Sequence, residues 1–129
     1  MERQAVNPWK WQDQFGFVQA NLASGAEKVL YCSGQVSVDE NGSVVHAGDM
    51  AAQMGKALDN LEAVLGGAAM TLENVVKLTI YVTDIDAAFA AFPEVGARVA
   101  SFKAAQTLIG VSRLAFPGLM VEIDATAVA

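Results

Sequence analysis

The chain has 129 residues, with 8 Lys plus Arg against 14 Asp plus Glu (net charge −6), one His and one Cys. That length predicts a single domain over residues 1–129 with one core, while the acidic balance excludes the cationic footprint that nucleic acid requires and no apolar run approaches the ~18 residues of a membrane span. Hydrophobic residues at 53% against 17% charged exclude disorder and leave surface for partner subunits to cover.

Met1-Glu2-Arg3-Gln4 lacks the charged-then-apolar order of a secretory signal, and one cysteine cannot close an internal disulfide. The expected compartment is therefore the reducing cytoplasm. Residues 1–14, with Pro8, Trp9 and Trp11, read as an N-terminal arm laid over a surface, the tryptophans serving as its packing residues. Residues 15–21 and 28–37 are rich in β-branched and aromatic side chains and are predicted to pair as an antiparallel hairpin around Ala23-Ser24-Gly25-Ala26. Asp39-Glu40-Asn41-Gly42 then supplies an Asn-Gly reversal before Ser43-Val44-Val45.

From Asp49 the apolar spacing changes to threes and fours. Met50, Met54, Ala57, Leu58, Leu61, Val64, Leu65 and Ala68 predict an amphipathic helix, capped by Asp49 and weakened at Gly66-Gly67. Residues 75–83 alternate, with Val76, Leu78, Ile80 and Val82 opposite Lys77, Thr79 and Tyr81, as a strand beneath that helix would. Residues 84–100 are Ala-rich and helical, with Pro93 expected to divide a short turn from a longer helix. Residues 106–114 and 119–128 read as a final strand pair around Phe116-Pro117-Gly118.

The order β-β-(β)-α-β-α-β-β predicts an α+β fold, with both helices on one face of a mixed sheet because right-handed crossovers put them on the same side. Tyr31, Ser33, Gln35, Thr79, Tyr81, Gly110, Ser112, Glu122 and Thr126 would form the other face. It is semi-polar and irregular, which predicts cover by other subunits and a site in the seams between them.

Four ordered segments resemble the Rid family of imine and enamine deaminases, also called the YjgF family. They are Tyr31-Cys32-Ser33-Gly34-Gln35-Val36, Leu58-Asp59-Asn60-Leu61-Glu62-Ala63-Val64-Leu65, Val75-Val76-Lys77-Leu78-Thr79-Ile80-Tyr81-Val82-Thr83-Asp84-Ile85, and the stretch from Gly110-Val111-Ser112-Arg113-Leu114 to Val121-Glu122-Ile123-Asp124-Ala125. The resemblance implies a chorismate-mutase-like subunit of the bacillus type, a homotrimeric barrel with interfacial sites, and hydrolysis of a small imine or enamine to a 2-oxo acid and ammonia. It also implies an arginine for the substrate carboxylate, a glutamate for the attacking water, a first-strand tyrosine, and a Ser-Gly backbone lining the cleft.

Carried over by position, the glutamate is Glu122, the catalytic candidate, and the Ser-Gly pair is Ser33-Gly34. Phe17 stands at the tyrosine position, keeping the aromatic wall without its hydroxyl. Gln106 stands where the arginine belongs. A neutral amide in place of a bidentate guanidinium should weaken carboxylate anchoring about 10–100-fold. Arg113 lies at an odd strand offset from Gln106 and points to the other face, whereas Lys103 or Arg98 could supply a cation from the preceding loop or a neighbouring subunit.

The residues by themselves keep other readings open. Glu122, in the polar register of Met120, Asp124 and Thr126, also reads as a solvated strand face, and Gln106 as an amide satisfying loop backbone. Cys32 reads as a small buried hydrophobe and His46 as a solvated loop residue, so neither a covalent nucleophile nor a metal site is supported. The expectation is a small-molecule hydrolase without metal or cofactor. Its rivals are a non-catalytic, ligand-binding or regulatory trimer and, disfavoured by charge, a ribonuclease.

Overall fold

The apolar stripe after Asp49 folds as its spacing predicts. In the computed structural model, which describes residues 1–129, α1 spans Met50–Gly67 and the Asp49 carboxylate caps it by accepting from the Ala52 amide at 3.1 Å. Met54, Ala57, Leu58, Leu61 and Leu65 are buried, whereas Val64, counted with them from spacing, is 38% exposed. Seven strands complete the fold: β1 (Glu2–Val6), β2 (Ala20–Ser24), β3 (Val29–Tyr31), β4 (Gln35–Val36), β5 (Val75–Val82), β6 (Ala105–Gly110) and β7 (Val121–Val128), with α2 (Ile85–Ala100) between β5 and β6.

The main sheet is built around β7, which pairs antiparallel with β5 on one side and with β3 and β4 on the other; β5 pairs parallel with β6. The two crossovers, β4 to β5 through α1 and β5 to β6 through α2, join parallel strands, and both helices share one core with the inward side chains of the sheet. Leu78, Ile80, Val82, Val121, Ile123 and Ala125 face Leu58, Leu61 and Leu65 of α1 and Ala88, Ala91 and Val99 of α2. Each such buried leucine contributes about 1.5–3 kcal/mol. At the start of β5 a register shift between Val75 and Lys77 lets Val75 take the inward place that alternation assigns to Val76.

Four local expectations are corrected. Residues 1–14 are not a bare arm: β1 pairs with β2, and Trp11–Phe15 forms a 3-10 helix. Arg3 fastens that hairpin by donating to Asn21 Oδ1 and to the carbonyls of Glu73, Phe102 and Lys103. The turn at 23–26 exists, with Gly25 at φ +69°, but it hands the chain from one sheet to the other, so residues 15–21 and 28–37 do not pair. The long edge of β7 is the better partner for β3 and β4.

Pro93 does not divide α2, which runs unbroken through it. The carbonyl that loses its amide donor to the proline belongs to Phe89, a residue 52% exposed. The last two strands end up on opposite sides of β5 rather than paired with each other. The Asn-Gly reversal forms as predicted: Asp39 Oδ1 accepts from the Asn41 and Ser43 amides, and Gly42 sits at φ +80°.

Candidate functional site

The ladder between the first segment and β7 contains one extra residue. From Tyr31 to Gln35 the chain takes four steps, while its partners Thr126 to Ile123 take three. The surplus falls in Cys32-Ser33-Gly34, a β-bulge, and it flips the alternation beyond it. Gln35 therefore aligns with inward-facing Ile123, and Val36 with Glu122 on the open face. Gln35 was expected on the open face, and the bulge is why it is not there. Gly110, also assigned to that face, pairs with Val82 and lies under Ile85.

At the bulge the Ser33 and Gly34 amides donate to no backbone carbonyl. The Glu122 side chain lies over Gly34 so closely that a Cβ there would stand 2.5 Å from Glu122 Oε2 and 2.6 Å from Cδ. The missing Cβ lets the carboxylate take this position, and φ at Gly34 is not positive. Across the strand pair Glu122 aligns with Tyr81, whose hydroxyl donates to Asp124 Oδ2 at 3.0 Å. That bond pushes the Tyr81 hydroxyl above its ordinary range, with smaller contributions from burial and from the charges of Asp124 and Glu122. Of the two carboxylates on this strand face, Asp124 is occupied by Tyr81, and Glu122 has neither a hydrogen bond nor an ion pair within the subunit.

Asn60, in the second of the four family-like segments, holds this arrangement. Its amide donates to the carbonyls of Val36 at 2.9 Å and Val38 at 3.0 Å, tying α1 to the strand that follows the bulge. Sequence reasoning assigned Asn60 no role. It also missed Gln53, which is fully buried between the predicted stripe positions Met50, Met54 and Ala57. Gln53 donates to the His46 and Gly118 carbonyls and accepts from the Met120 amide, fixing the loop into β7. A polar residue inside an apolar stripe was the available signal. Cys32 packs against the core, where burial first and Asp124 second push its thiol up, and His46 is exposed.

Phe17 and Gln106 lie elsewhere. The parallel β5–β6 register puts Gln106 beside Leu78 and Leu108 beside Ile80, so Gln106 points to the helix side of the sheet. There, with Phe17, it lines a cleft of about 830 Å³ between α2, β6 and the segment around the 3-10 helix. Trp11, Phe15 and Phe17 form one aromatic wall, Phe15 stacked on Phe17 at 6.5 Å and Trp11 edge-on to Phe17 at 5.8 Å. Phe89 and Phe92, edge to face at 5.5 Å, come from α2. Gly16 allows the closeness: its φ is +75°, and a Cβ would meet Ala100 Cβ at 2.5 Å. The Gln106 amide nitrogen is buried and has no partner.

One subunit thus brings Ser33, Gly34 and Glu122 together on the open face, and Phe17 and Gln106 together on the helix side, but does not join the two groups. Neither proposed cation reaches Gln106 within the subunit. Arg98 is engaged by Asp59 at 2.8 Å and Glu62 at 3.2 Å, and Lys103 lines a separate hollow with Arg3 and Glu73. Arg113 is exposed beyond the end of β6. No group of three or more His, Cys, Asp or Glu side chains gathers in a metal-binding arrangement, and no helix is long and apolar enough to cross a membrane.

Known proteins share both sequence and shape with this chain. The family model for Endoribonuclease L-PSP matches residues 15–129. Protein DfrA of Myxococcus xanthus is 33% identical over 129 residues, covering 99% of this chain and 97% of its own. The 3-aminoacrylate deaminase RutC of Acinetobacter baylyi is 37% identical over 62 residues, 48% of this chain and 49% of its own. The crystal structure of YyfB from Yersinia pestis, of the conserved Rid protein family, superposes with a TM-score of 0.87 at 35% identity, covering 100% of both chains. With the two helices packed on one face of a mixed, chorismate-mutase-like sheet, these similarities establish that the chain belongs to the Rid family, also known as the YjgF or RutC family.

Proposed function

We propose that this protein is a Rid-type hydrolase that deaminates a small imine, enamine or related metabolite with a water held by Glu122. The observation that carries this reading is the unpartnered Glu122 carboxylate lying over Gly34, beside two free backbone amides. Glu122 accepts a proton as the water oxygen attacks the imine carbon, forming a carbinolamine. It returns that proton to nitrogen, then takes the carbinolamine hydroxyl proton and passes it to nitrogen as the C–N bond breaks, so that the carbonyl and ammonia leave with the carboxylate regenerated. In this reading the Ser33 and Gly34 amides, which donate to no backbone carbonyl, donate to the oxygen of the carbinolamine. The reaction asks for no metal or cofactor.

A ligand in the Phe17–Gln106 cleft of one subunit cannot touch Glu122 of the same subunit, because the sheet lies between them. Assembly resolves this. The open face carries Tyr31 at 80% exposure and Ile109 at 38%, surface that a neighbour would cover. A homotrimer in which each open face receives its neighbour's cleft completes three sites, and the lone cysteine fits a cytoplasmic setting.

Ammonia release is the test, using freshly generated 2-iminopropanoate and the neutral imine of acetophenone with wild type and Glu122→Gln. Loss of about 10²-fold or more in Glu122→Gln on either imine supports the assignment; equal activity removes Glu122 from catalysis. Saturable metabolite binding with no turnover of either imine would favour the non-catalytic trimer instead. The ribonuclease activity in the name of the matching family model has less support, since the net charge is −6 and no His or Lys cluster accompanies Glu122.

A further inference from the structure

The chemistry of the Gln106 cleft specifies a ligand class. Its walls are aromatic, with Phe15 and Phe17 on one side and Phe89 and Phe92 from α2, and its volume of about 830 Å³ lies within the range of small-molecule sites. Such walls favour a flat or bulky apolar body. Among them one polar atom is unprovided for: Gln106 Nε2, buried and donating to nothing. A buried donor without an acceptor is costly, so a ligand oxygen or nitrogen that accepts from it gains more than a solvated hydrogen bond would give.

Charge narrows the class further. Asp13 is the only charged residue lining the cleft, and no Lys, Arg or His joins it. Arg98, on the adjoining helix, is turned away to Asp59 and Glu62. From this subunit's side a carboxylate entering the cleft would shed water beside an acid and meet no compensating cation, and the neighbour's open face would bring the Glu122 carboxylate to it.

The geometry points to a neutral ligand with an aromatic or comparably bulky apolar body and a single carbonyl or imine group, whose oxygen or nitrogen accepts the Gln106 Nε2 hydrogen while the body lies among the phenylalanines. Resting on the hydrolase reading, this makes the substrate a neutral aryl or bulky alkyl imine and the product the matching ketone or aldehyde, not a 2-oxo acid.

Calorimetric titration of the full chain with acetophenone and with benzoate, its anionic near-isostere, tests the class. Acetophenone is expected to bind at least about tenfold more tightly than benzoate. Gln106→Leu should weaken acetophenone about tenfold and leave ethylbenzene unchanged, while Gln106→Arg should reverse the preference toward benzoate. Phe89→Ala, at an exposed position that tolerates truncation, should weaken acetophenone and ethylbenzene alike. Benzoate binding as well as acetophenone, indifference of acetophenone to Gln106→Leu, or no saturable binding of either probe would overturn the inference. The two readings fail separately: a retained acetophenone preference without Glu122-dependent turnover sinks only the hydrolase, and Glu122-dependent turnover with benzoate preferred sinks only the ligand class.

Discussion

Replacing Gly34 with alanine isolates the one contact on which the proposed chemistry rests. The new Cβ would lie 2.5 Å from Glu122 Oε2, 2.6 Å from Cδ and 2.9 Å from Cγ, against ordinary contact from 3.4 Å. The carboxylate must therefore move by at least 3.4 − 2.5 = 0.9 Å. Gly34 is not among the residues with positive φ, so the backbone accepts alanine and the side chain of Glu122 takes up the displacement. An off-rotamer glutamate costs about 0.5–1.5 kcal/mol, and loss of glycine's freedom in the unfolded chain returns about 0.4–1 kcal/mol. Stability should be nearly unchanged, with Tm moving by less than about 4 °C.

Catalysis should not be spared. Misplacing a reacting group by about 1 Å costs on the order of 10²-fold in rate. Ammonia release from an imine that the wild type hydrolyses, measured beside thermal unfolding, should show that loss with Tm preserved. Full activity in Gly34→Ala would refute the reasoning, because it would mean that the position of the Glu122 carboxylate does not matter. A fall in Tm parallel to the fall in rate would show that Gly34 serves folding instead.

Gly16→Ala meets backbone strain at φ +75° and the immovable Ala100 Cβ at 2.5 Å, so urea unfolding should show a loss of about 2–4 kcal/mol, in contrast to Gly34→Ala. Gln53→Leu leaves the Gly118 carbonyl and the Met120 amide without a partner, while the His46 carbonyl keeps its bond from the Asp49 amide; a loss of about 2–4 kcal/mol is expected by denaturant titration, with faster hydrogen exchange at the Met120 amide. Tyr81 has a folded pKa raised above 10.0, chiefly by its bond to Asp124, so the stability it adds is complete below its unfolded pKa and disappears as pH rises through the folded one. The Tm gap between wild type and Tyr81→Phe should accordingly hold steady from neutral pH to about 9 and shrink above about 10; a gap that widens with pH would contradict the assignment.

Local signals made α1 and the cores of β5 and β7 legible in the sequence. Their periods of 3.6 and 2 and the Asp49 cap act within a few residues and do not depend on a distant partner. β1 was illegible because Glu2-Arg3-Gln4 has no apolar alternation, and what orders it is Arg3 reaching carbonyls near residues 73 and 102. Alternation also failed at Gln35 and Gly110. The bulge at 32–34 and the β5–β6 register are properties of pairs of strands, and one inserted residue exchanges the faces of everything beyond it. Glu122, Ser33 and Gly34 were recognisable as one group because their segments resemble a family pattern. That Gln106 and Phe17 lie across the sheet from them could not be read without the pairings.

This separation gives the proposed trimer a quantitative consequence. Let one variant lose the open-face half through Glu122→Gln and another lose the cleft half through Gln106→Glu, a near-isosteric change that replaces the free donor with an acceptor. Each homotrimer would be inactive. In a closed ring of subunits every site takes its open face from one chain and its cleft from the next, so random mixing at equal amounts gives an intact pair with probability ½ × ½. About one quarter of wild-type activity should return on co-refolding or co-expression, and none on mixing the preassembled trimers before they exchange. If the site were complete within a subunit, no mixture could exceed its inactive parents, because every chain would carry a defective copy. Recovery near one quarter would therefore establish that Gln106 and Glu122 meet only across the interface, and that the sheet face left open in the subunit belongs to the neighbour's ligand.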